Sequence, residues 1–210
     1  MIILGLTGSI GMGKSAAAAG FRRLRVPVYD ADKIVHGLLA EGGEAVARIG
    51  EIFPNTVKGS AVDRDLMAGE VFGDSEALAR LESVLHPMVR RQERKFLEIA
   101  ARRGRKLVVL DVPLLFETEG EARCDAVVTV SAPGFIQEWR VLKRPGMTRE
   151  RMKSILARQM PDAEKRRRAD FVVLTGLGRD FSLRQILNIV RITSQWRGWN
   201  WSPRRGAKGK

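Results

Sequence analysis

The amino-terminal segment constrains the fold of this 210-residue chain more than any other feature of its sequence. A short apolar run at residues 2–6 leads into a glycine-rich loop, and a stretch with helical periodicity follows from residue 14 to about 25. An apolar run this short, bounded by glycines, is typical of a strand buried on both faces of a parallel sheet. Strand, glycine loop and helix in this order predict the beginning of an α/β fold.

Four further apolar runs predict strands of the same sheet, and they lie at residues 26–29, 107–110, 126–130 and 171–174. Helical patterns separate them, which predicts a doubly wound parallel five-stranded sheet and a closing helix at about 182–196. The helical stretch between the second and third strands is too long for a simple crossover. We expect it to form an insertion over the carboxyl edge of the sheet, where such folds bind ligands. Its helices should break near Gly42, Pro54, Gly59, Gly73 and Pro87.

Residues 8–15, the phosphate loop, match the pattern Gly-x-x-x-x-Gly-Lys-Ser/Thr in full. Glycines let successive N–H groups turn inward around a phosphate, and the following helix presents its N-terminus to the anion. Lys14 brings a positive charge to the β and γ phosphates, and the Ser15 hydroxyl is placed to bind Mg²⁺. The segment predicts a nucleoside triphosphate site formed by Gly8, Gly11, Met12, Gly13, Lys14, Ser15 and Ala16.

The loop alone does not name the reaction, because switch GTPases, motor ATPases and small-molecule kinases all carry it. The guanine-selecting Asn-Lys-x-Asp pattern is absent from the sequence. A chain of 210 residues leaves little room for the extra modules of most motor ATPases, whereas small-molecule kinases fit this size. A kinase acting on a nucleoside, nucleotide or other metabolite is the expected class.

Two carboxylates, Asp30 and Asp32, lie at the end of the predicted second strand, so we expect at least one of them to face the catalytic edge. Phosphoryl transfer to an alcohol needs a group that orients the hydroxyl and accepts its proton, and aspartate is a usual choice. An equally good local use of Asp32 is to cap the next helix. The residues alone leave both roles open.

Taken together, the motifs resemble the dephospho-CoA kinase family from residue 2 to about residue 175. The resemblance is carried by the phosphate loop, Asp30-Ala31-Asp32, His86-Pro87, the run from Asp111 to Glu117, Arg158-Gln159 and the segment 164–170. It implies transfer of the ATP γ-phosphate to the ribose 3′-hydroxyl of dephospho-CoA, the last step of coenzyme A synthesis. It also implies a core at 1–32, 105–137 and 169–198, a helical acceptor-binding insertion at 33–104 and a helical lid at 138–168.

The resemblance also implies roles for single residues. Asp32 matches the catalytic base, with Asp30 supporting it. Arg140 matches the lid arginine that stabilises the transferring phosphoryl group, with Arg144 as a second candidate. The acceptor side is matched by His86, Leu114, Leu115 and Phe116.

Alternatives remain open for His86, for Asp111 and for the segment after the fifth strand. His86 alone reads as a structural histidine before a proline. Asp111 closes a buried strand, so it is either a carboxylate acting on Mg²⁺ through water or a plain strand-end turn. The family often shows Asp-Asn before a glycine near the adenine, whereas this chain has Leu174-Thr175-Gly176. This departure leaves a backbone contact to adenine open at this position in place of a side-chain contact.

The net charge of +13 lies entirely within residues 141–210, and residues 141–168 contribute +7 of it. Two polyphosphate substrates explain a few functional arginines there, and one or two charge-assisted contacts suffice for catalysis. The segment from Trp196 interleaves tryptophans with basic groups, which suits either nucleic-acid binding or packing with a solubilising end. We expect a disordered basic tail at 199–210 and no nucleic-acid partner.

The remaining composition places the chain among intracellular proteins. Its single cysteine, Cys124, rules out an intramolecular disulfide and fits a reducing compartment, so we expect a cytoplasmic enzyme. No apolar run reaches the roughly 18 residues of a membrane span. We expect a monomer or a weak homo-oligomer that uses ATP, Mg²⁺ and dephospho-CoA and has no membrane partner.

Overall fold

The computed structural model describes residues 1–201, so the last nine residues of the predicted tail lie outside the described residues. The chain forms two compact units, each with its own hydrophobic core. The first unit consists of residues 1–29 and the described chain from Glu98 onward. The second unit is Asp30–Leu97.

The elements alternate along the chain as an α/β fold requires. The strands are β1 (Ile2–Thr7), β2 (Val28–Asp30), β3 (Val57–Lys58), β4 (Ala61–Val62), β5 (Leu107–Asp111), β6 (Ala126–Ser131) and β7 (Phe171–Leu174). The helices are α1 (Lys14–Arg23), α2 (Ala31–Leu39), α3 (Val46–Ile52), α4 (Arg64–Val71), α5 (Ser75–Arg102), α6 (Gly134–Leu142), α7 (Arg149–Ala157), α8 (Asp162–Arg168) and α9 (Arg179–Thr193).

The main sheet has five strands in the order β2-β5-β1-β6-β7. Strand β1 pairs in parallel with β5 on one side and β6 on the other, and β6 pairs in parallel with β7. The predicted parallel five-stranded sheet is confirmed. The strand order reverses at β1, so the phosphate loop follows the central strand at the topological switch point, where open α/β sheets bind ligands.

Helices α1 and α9 cover one face of this sheet, because each has an apolar stripe that must leave water. Phe21 of α1 and Ile186 of α9 are almost fully buried in the same hydrophobic core as Leu4 and Val128 of the sheet. Each such side chain contributes roughly 1.5–3 kcal/mol through burial. Gly20 allows the two helices to approach closely, since a Cβ there would lie 2.8 Å from Cδ1 of Ile186.

The second unit contains α2, α3, α4, most of α5 and a small antiparallel hairpin of β3 and β4. The sequence predicted a mostly helical region here and did not predict the hairpin. Its two-residue turn begins at Gly59, whose φ of +62° favours glycine. A hydrogen bond from Lys58 at 2.6 Å lowers the pKa of the Asp63 carboxyl, which also caps α4.

The predicted break at Pro87 is wrong, because α5, which is 28 residues long, continues through this proline. A proline inside a helix costs about 3 kcal/mol through its lost N–H and its ring clash. Buried side chains on both sides of Pro87 offset this cost: Leu81, Val84 and Leu85 precede it, and Met88 follows it in the same core. Tertiary packing overrides the local signal.

The carboxyl-terminal segment is also ordered further than predicted. Helix α9 begins three residues earlier and ends three residues earlier than the expected 182–196. Beyond it, the backbone N–H groups of Trp199 and Asn200 both donate to Oδ1 of Asp125 at 2.9 Å. Residues 199–201, which the sequence placed in a disordered tail, therefore pack on the protein. Within residues 1–201, no helix combines the length and the apolar character needed to cross a bilayer.

Candidate active site

The phosphate loop adopts the backbone that its glycines predict. Gly11 and Gly13 have φ values of +79° and +92°, in the left-handed region that side chains with a Cβ rarely enter. Space is limited as well, because a Cβ on Gly13 would lie 2.8 Å from Oγ1 of Thr175. Ser15, whose side chain is exposed, begins the first turn of α1 together with Lys14. The loop and the helix N-terminus thus have the backbone arrangement that anion binding requires.

Two glutamines hold the outer edge of the loop at Ile10. The N–H of Ile10 donates to Oε1 of Gln159 at 3.0 Å, and its carbonyl accepts a hydrogen bond from Nε2 of Gln137 at 2.8 Å. Gln137 lies on α6 and Gln159 follows α7. The predicted lid segment therefore contacts the phosphate loop directly, through side chains that clamp both backbone groups of one residue.

Lys14 is paired with the carboxylate that ends strand β5. Its Nζ atom lies 2.7 Å from Oδ1 of Asp111, and the two side chains are only 15% and 3% exposed. Strand β5 lies beside β1, which is why the end of β5 reaches the loop that follows β1. The sequence placed both residues near phosphate or metal, and the structure brings them into contact.

Thr175, the residue after β7, connects several elements around the phosphate loop through hydrogen bonds. Its Oγ1 donates to the carbonyl of Met12 at 2.6 Å and accepts from Nη1 of Arg140 at 2.9 Å. Its carbonyl accepts from Nη2 of Arg140 at 2.7 Å, and its N–H donates to the carbonyl of Ser131 at 2.9 Å. Arg140 also reaches the carbonyl of Gly11 at 3.4 Å. The predicted lid arginine thus ties α6 to the phosphate loop and to β7.

A cavity of about 1030 Å³ adjoins the phosphate loop at Gly13. Four parts of the first unit line it: α1, α6, the turn from β7 into α9, and the first half of α9. Its volume is at the upper end of the roughly 300–1,000 Å³ usual for small-molecule sites. The position next to the loop suits the nucleoside part of a bound triphosphate.

In the second unit, the structure decides which of Asp30 and Asp32 caps the helix that follows β2. Asp30 is the N-cap of α2, and its Oδ1 accepts from the N–H of Lys33 at 3.0 Å. Asp32 lies in the first turn of the helix with an exposed side chain. The alternative that Asp32 caps the helix is therefore wrong, because its neighbour two residues earlier does so.

The acceptor-side residues fall into different environments. His86 is exposed on α5 in the second unit, so it is not a buried structural histidine. In the first unit, Leu115 is fully buried and Phe116 is 4% exposed, whereas Leu114 is 40% exposed. Leu115 and Phe116 therefore serve the core, and Leu114 is the member of this segment that presents side-chain surface.

A buried ion pair between Lys165 and Glu117 stabilises the segment at residues 113–117. Lys165 of α8 is fully buried, and its Nζ lies 2.8 Å from Oε1 of Glu117 and 3.3 Å from the carbonyl of Pro113. The same carbonyl accepts from Oγ1 of Thr7 at 2.8 Å. Glu117 also accepts from the N–H of Met160 at 2.8 Å. The pair links α8, the end of α7 and the segment after β5.

Sequence reasoning left several of these residues without a role. Gln137, Gln159, Glu117 and Lys165 had no assigned contact, although three of them stand in the motifs that carry the family resemblance. Polar side chains recurring in such motifs were the available signal. Phe135 and Trp139, exposed on the cavity side of α6, carried no signal in one sequence, since aromatic residues at helical spacing usually indicate core packing.

Comparisons with known proteins agree with this geometry. The family model described as dephospho-CoA kinase matches residues 2–177. A protein from Paramagnetospirillum magneticum, named dephospho-CoA kinase, is 61% identical over 166 residues, which cover 79% of this chain and 78% of that protein. A protein of the same name from Rhodospirillum rubrum is 52% identical over 200 residues, covering 94% and 95%.

A solved structure supports the fold assignment independently. The crystal structure of a Thermus thermophilus protein superposes with a TM-score of 0.80 at 37% identity, covering 91% of this chain and 96% of that one. The family match extends over the phosphate loop, Asp111, the lid segment and Thr175. The chain is a kinase and belongs to the dephospho-CoA kinase family.

Proposed function

We propose that this protein transfers the γ-phosphoryl group of ATP to the ribose 3′-hydroxyl of dephospho-CoA, giving coenzyme A and ADP. The observation that carries the proposal is the pairing of Lys14 with Asp111 beside a complete phosphate loop, in a chain of this family. In this proposal the Lys14 ammonium binds the phosphates of ATP and offsets the negative charge that spreads over the transferring group. The adjoining cavity receives the nucleoside.

Asp32 acts as the base in this proposal. Asp30 already satisfies the N-terminus of α2, so the exposed Asp32 carboxylate is not needed as a cap. A carboxylate accepts the proton of an attacking hydroxyl and orients its oxygen toward phosphorus. Asp30 supports this role by fixing the first turn on which Asp32 lies.

Ser15 and Asp111 fit a magnesium ion by the chemistry of their donors. The exposed Ser15 hydroxyl and the Asp111 carboxylate supply oxygen atoms, which Mg²⁺ prefers together with substrate phosphates and waters. When bound, the ion neutralises charge on the phosphate oxygens. Asp111 would act through water, since its Oδ1 also accepts from Lys14.

Two lid arginines divide the phosphate-binding work. Arg140 is held by Gly11 and Thr175 at the wall of the nucleotide cavity, so it fixes the loop and contacts the bound nucleotide. Arg144, one turn further and exposed, is the second candidate for the transferring phosphoryl group. A charge-assisted contact there stabilises the equatorial oxygens in the transition state.

The proposal also covers the acceptor site, the cellular location and the oligomeric state. Leu114 and His86 present exposed side chains for dephospho-CoA, while Leu115 and Phe116 support Leu114 from the core. The single Cys124, buried and reduced, suits the reducing cytoplasm. We expect a monomer or a weak homo-oligomer there.

An acceptor survey tests the proposal. ADP release is measured with ATP, Mg²⁺ and either dephospho-CoA, adenosine, AMP or shikimate as the acceptor. Turnover with dephospho-CoA at least 100-fold above the other acceptors is expected. Preferential turnover of another acceptor would contradict the assignment and would leave a kinase of different substrate class.

A further inference from the structure

The acceptor segment, residues 113–117, is held at its start by the carbonyl of Pro113. This carbonyl accepts from Oγ1 of Thr7 at 2.8 Å and from Nζ of Lys165 at 3.3 Å. Thr7 ends β1 directly before the phosphate loop, and the side chains of Thr7 and Lys165 are fully buried. Buried donors that are already paired are costly to separate, so they fix the backbone from which Leu114 extends.

The other end of the acceptor segment is held by Glu117, whose Oε1 accepts from two donors. The Nζ of Lys165 lies 2.8 Å from this oxygen, and the backbone N–H of Met160 donates to it at 2.8 Å. Met160 lies between α7 and α8. Hydrogen bonds to a charged carboxylate are roughly twice as strong as neutral ones. Glu117 therefore joins the acceptor segment to the chain between these two helices.

Gln159, the residue before Met160, contacts the phosphate loop. Its Oε1 accepts from the N–H of Ile10 at 3.0 Å. Two consecutive residues thus make the two contacts, one to the phosphate loop and one to the acceptor segment. Because the separation of consecutive Cα atoms is fixed by the planar peptide bond, the two contacts constrain each other.

Gln137 provides a comparison within the same molecule, because it contacts the same residue of the phosphate loop from another element. Its Nε2 donates to the carbonyl of Ile10 at 2.8 Å. Gln137 lies on α6 and is 7% exposed. Within residues 1–201, none of its hydrogen bonds reaches the acceptor segment. Both glutamines therefore hold Ile10, but only the contact of Gln159 continues to Glu117.

We propose that Gln159 is a positioning residue for the acceptor: by tying Met160 to Ile10, it sets where the acceptor segment lies relative to the phosphate loop. The inference rests on the proposed function and adds a residue that aligns its two substrates. Alignment matters because the attacking and leaving oxygens must lie roughly in line with phosphorus, and a misplacement of about 1 Å can cost about 100-fold in rate. Gln159 acts through Glu117, without touching the acceptor itself.

The test measures kcat and the separate KM values for ATP and dephospho-CoA in Gln159→Leu and Gln137→Leu. Each substitution has a similar side-chain volume and releases one backbone group of Ile10, so both should raise the KM for ATP. Gln159→Leu should also raise the KM for dephospho-CoA by about threefold to tenfold, the scale of one lost hydrogen bond, whereas Gln137→Leu should leave it unchanged. A smaller fraction of folded protein would lower kcat and leave both KM values as they are, so this comparison separates positioning from stability.

Gln159→Glu is the rescuing variant, because it keeps an oxygen that accepts from Ile10, and its KM for dephospho-CoA should stay near the wild-type value. Gln195→Leu, at an exposed glutamine beyond α9, is the control and should change neither KM. An unchanged KM for dephospho-CoA in Gln159→Leu, or an equal rise in Gln137→Leu, overturns the inference and leaves the kinase function standing. A wild-type protein that forms no coenzyme A overturns the proposed function, and this inference with it.

Discussion

The ammonium of Lys14 and the carboxylate of Asp111 form an ion pair with an Nζ–Oδ1 distance of 2.7 Å at the carboxyl edge of the sheet. The two residues are 97 positions apart in the chain, and the pairing of β1 with β5 brings them together. The lysine proposed to bind phosphate and the carboxylate proposed to act on hydrated Mg²⁺ are therefore in direct contact.

The Asp111→Asn substitution separates the two roles of this carboxylate. The amide still accepts a hydrogen bond from Lys14, but it has no charge for a hydrated Mg²⁺. We expect kcat to fall by about 100-fold, in line with the loss of one electrostatic contact in a phosphoryl-transfer site. The Mg²⁺ concentration for half-maximal rate should rise. A fall in rate with an unchanged Mg²⁺ dependence would show that Asp111 only positions Lys14.

The Asp32→Asn substitution tests the proposed base. Loss of a positioned proton acceptor should lower kcat by more than about 100-fold. The Kd for ATP, measured by titration calorimetry, should change little. Asp65→Asn is the matched control, because Asp65 also lies in the first turn of a short helix of the second unit with an exposed side chain. Full activity of Asp32→Asn would remove Asp32 from the mechanism.

Substitution by lysine should have different effects at the two arginines of the predicted lid segment. Arg140→Lys keeps the charge but loses the planar fork that reaches both Thr175 and Gly11, so the KM for ATP should rise by about tenfold. Arg144→Lys should lower kcat instead, by about tenfold or more, because its proposed contact forms in the transition state. Arg166→Lys, an exposed arginine of α8, serves as the control. The reverse pattern would exchange the two assigned roles.

The buried Lys165–Glu117 pair makes a prediction about stability. Lys165→Met leaves the Glu117 carboxylate without its counter-charge, and breaking a buried pair in this way costs about 3–5 kcal/mol. Oε2 of Glu117 already lacks a hydrogen-bond partner within residues 1–201, which makes the loss harder to relieve. Urea denaturation should show this fall in the free energy of unfolding. The double variant Lys165→Met/Glu117→Gln should recover more than about 1 kcal/mol of it, as expected for residues in contact.

Much of the first unit could be predicted because its signals are local. The five strands are short apolar runs between glycines and charged residues, and the phosphate loop is a contiguous motif. The continuation of α5 through Pro87 could not be predicted, because it depends on packing with distant residues. The β3–β4 hairpin was missed since two-residue strands leave almost no periodic signal.

The site shows the same division between local and long-range information. Lys14, Ser15 and Asp111 were placed by motif and strand order. The contacts of Thr175 with Arg140 and Met12 join residues far apart in the chain, so no pattern in a single sequence reports them. The anchoring of residues 199–201 on Asp125 is long-range too, and composition alone predicted disorder there.

The central claim is that this chain phosphorylates dephospho-CoA at its ribose 3′-hydroxyl. The most direct test incubates the purified protein with ATP, Mg²⁺ and dephospho-CoA, then compares the product with authentic coenzyme A by chromatography, mass and phosphorus NMR. The account predicts one product with the retention time and 3′-phosphate resonance of coenzyme A, formed in equal amount to ADP. ADP without this product, or a phosphate at another position, would contradict it.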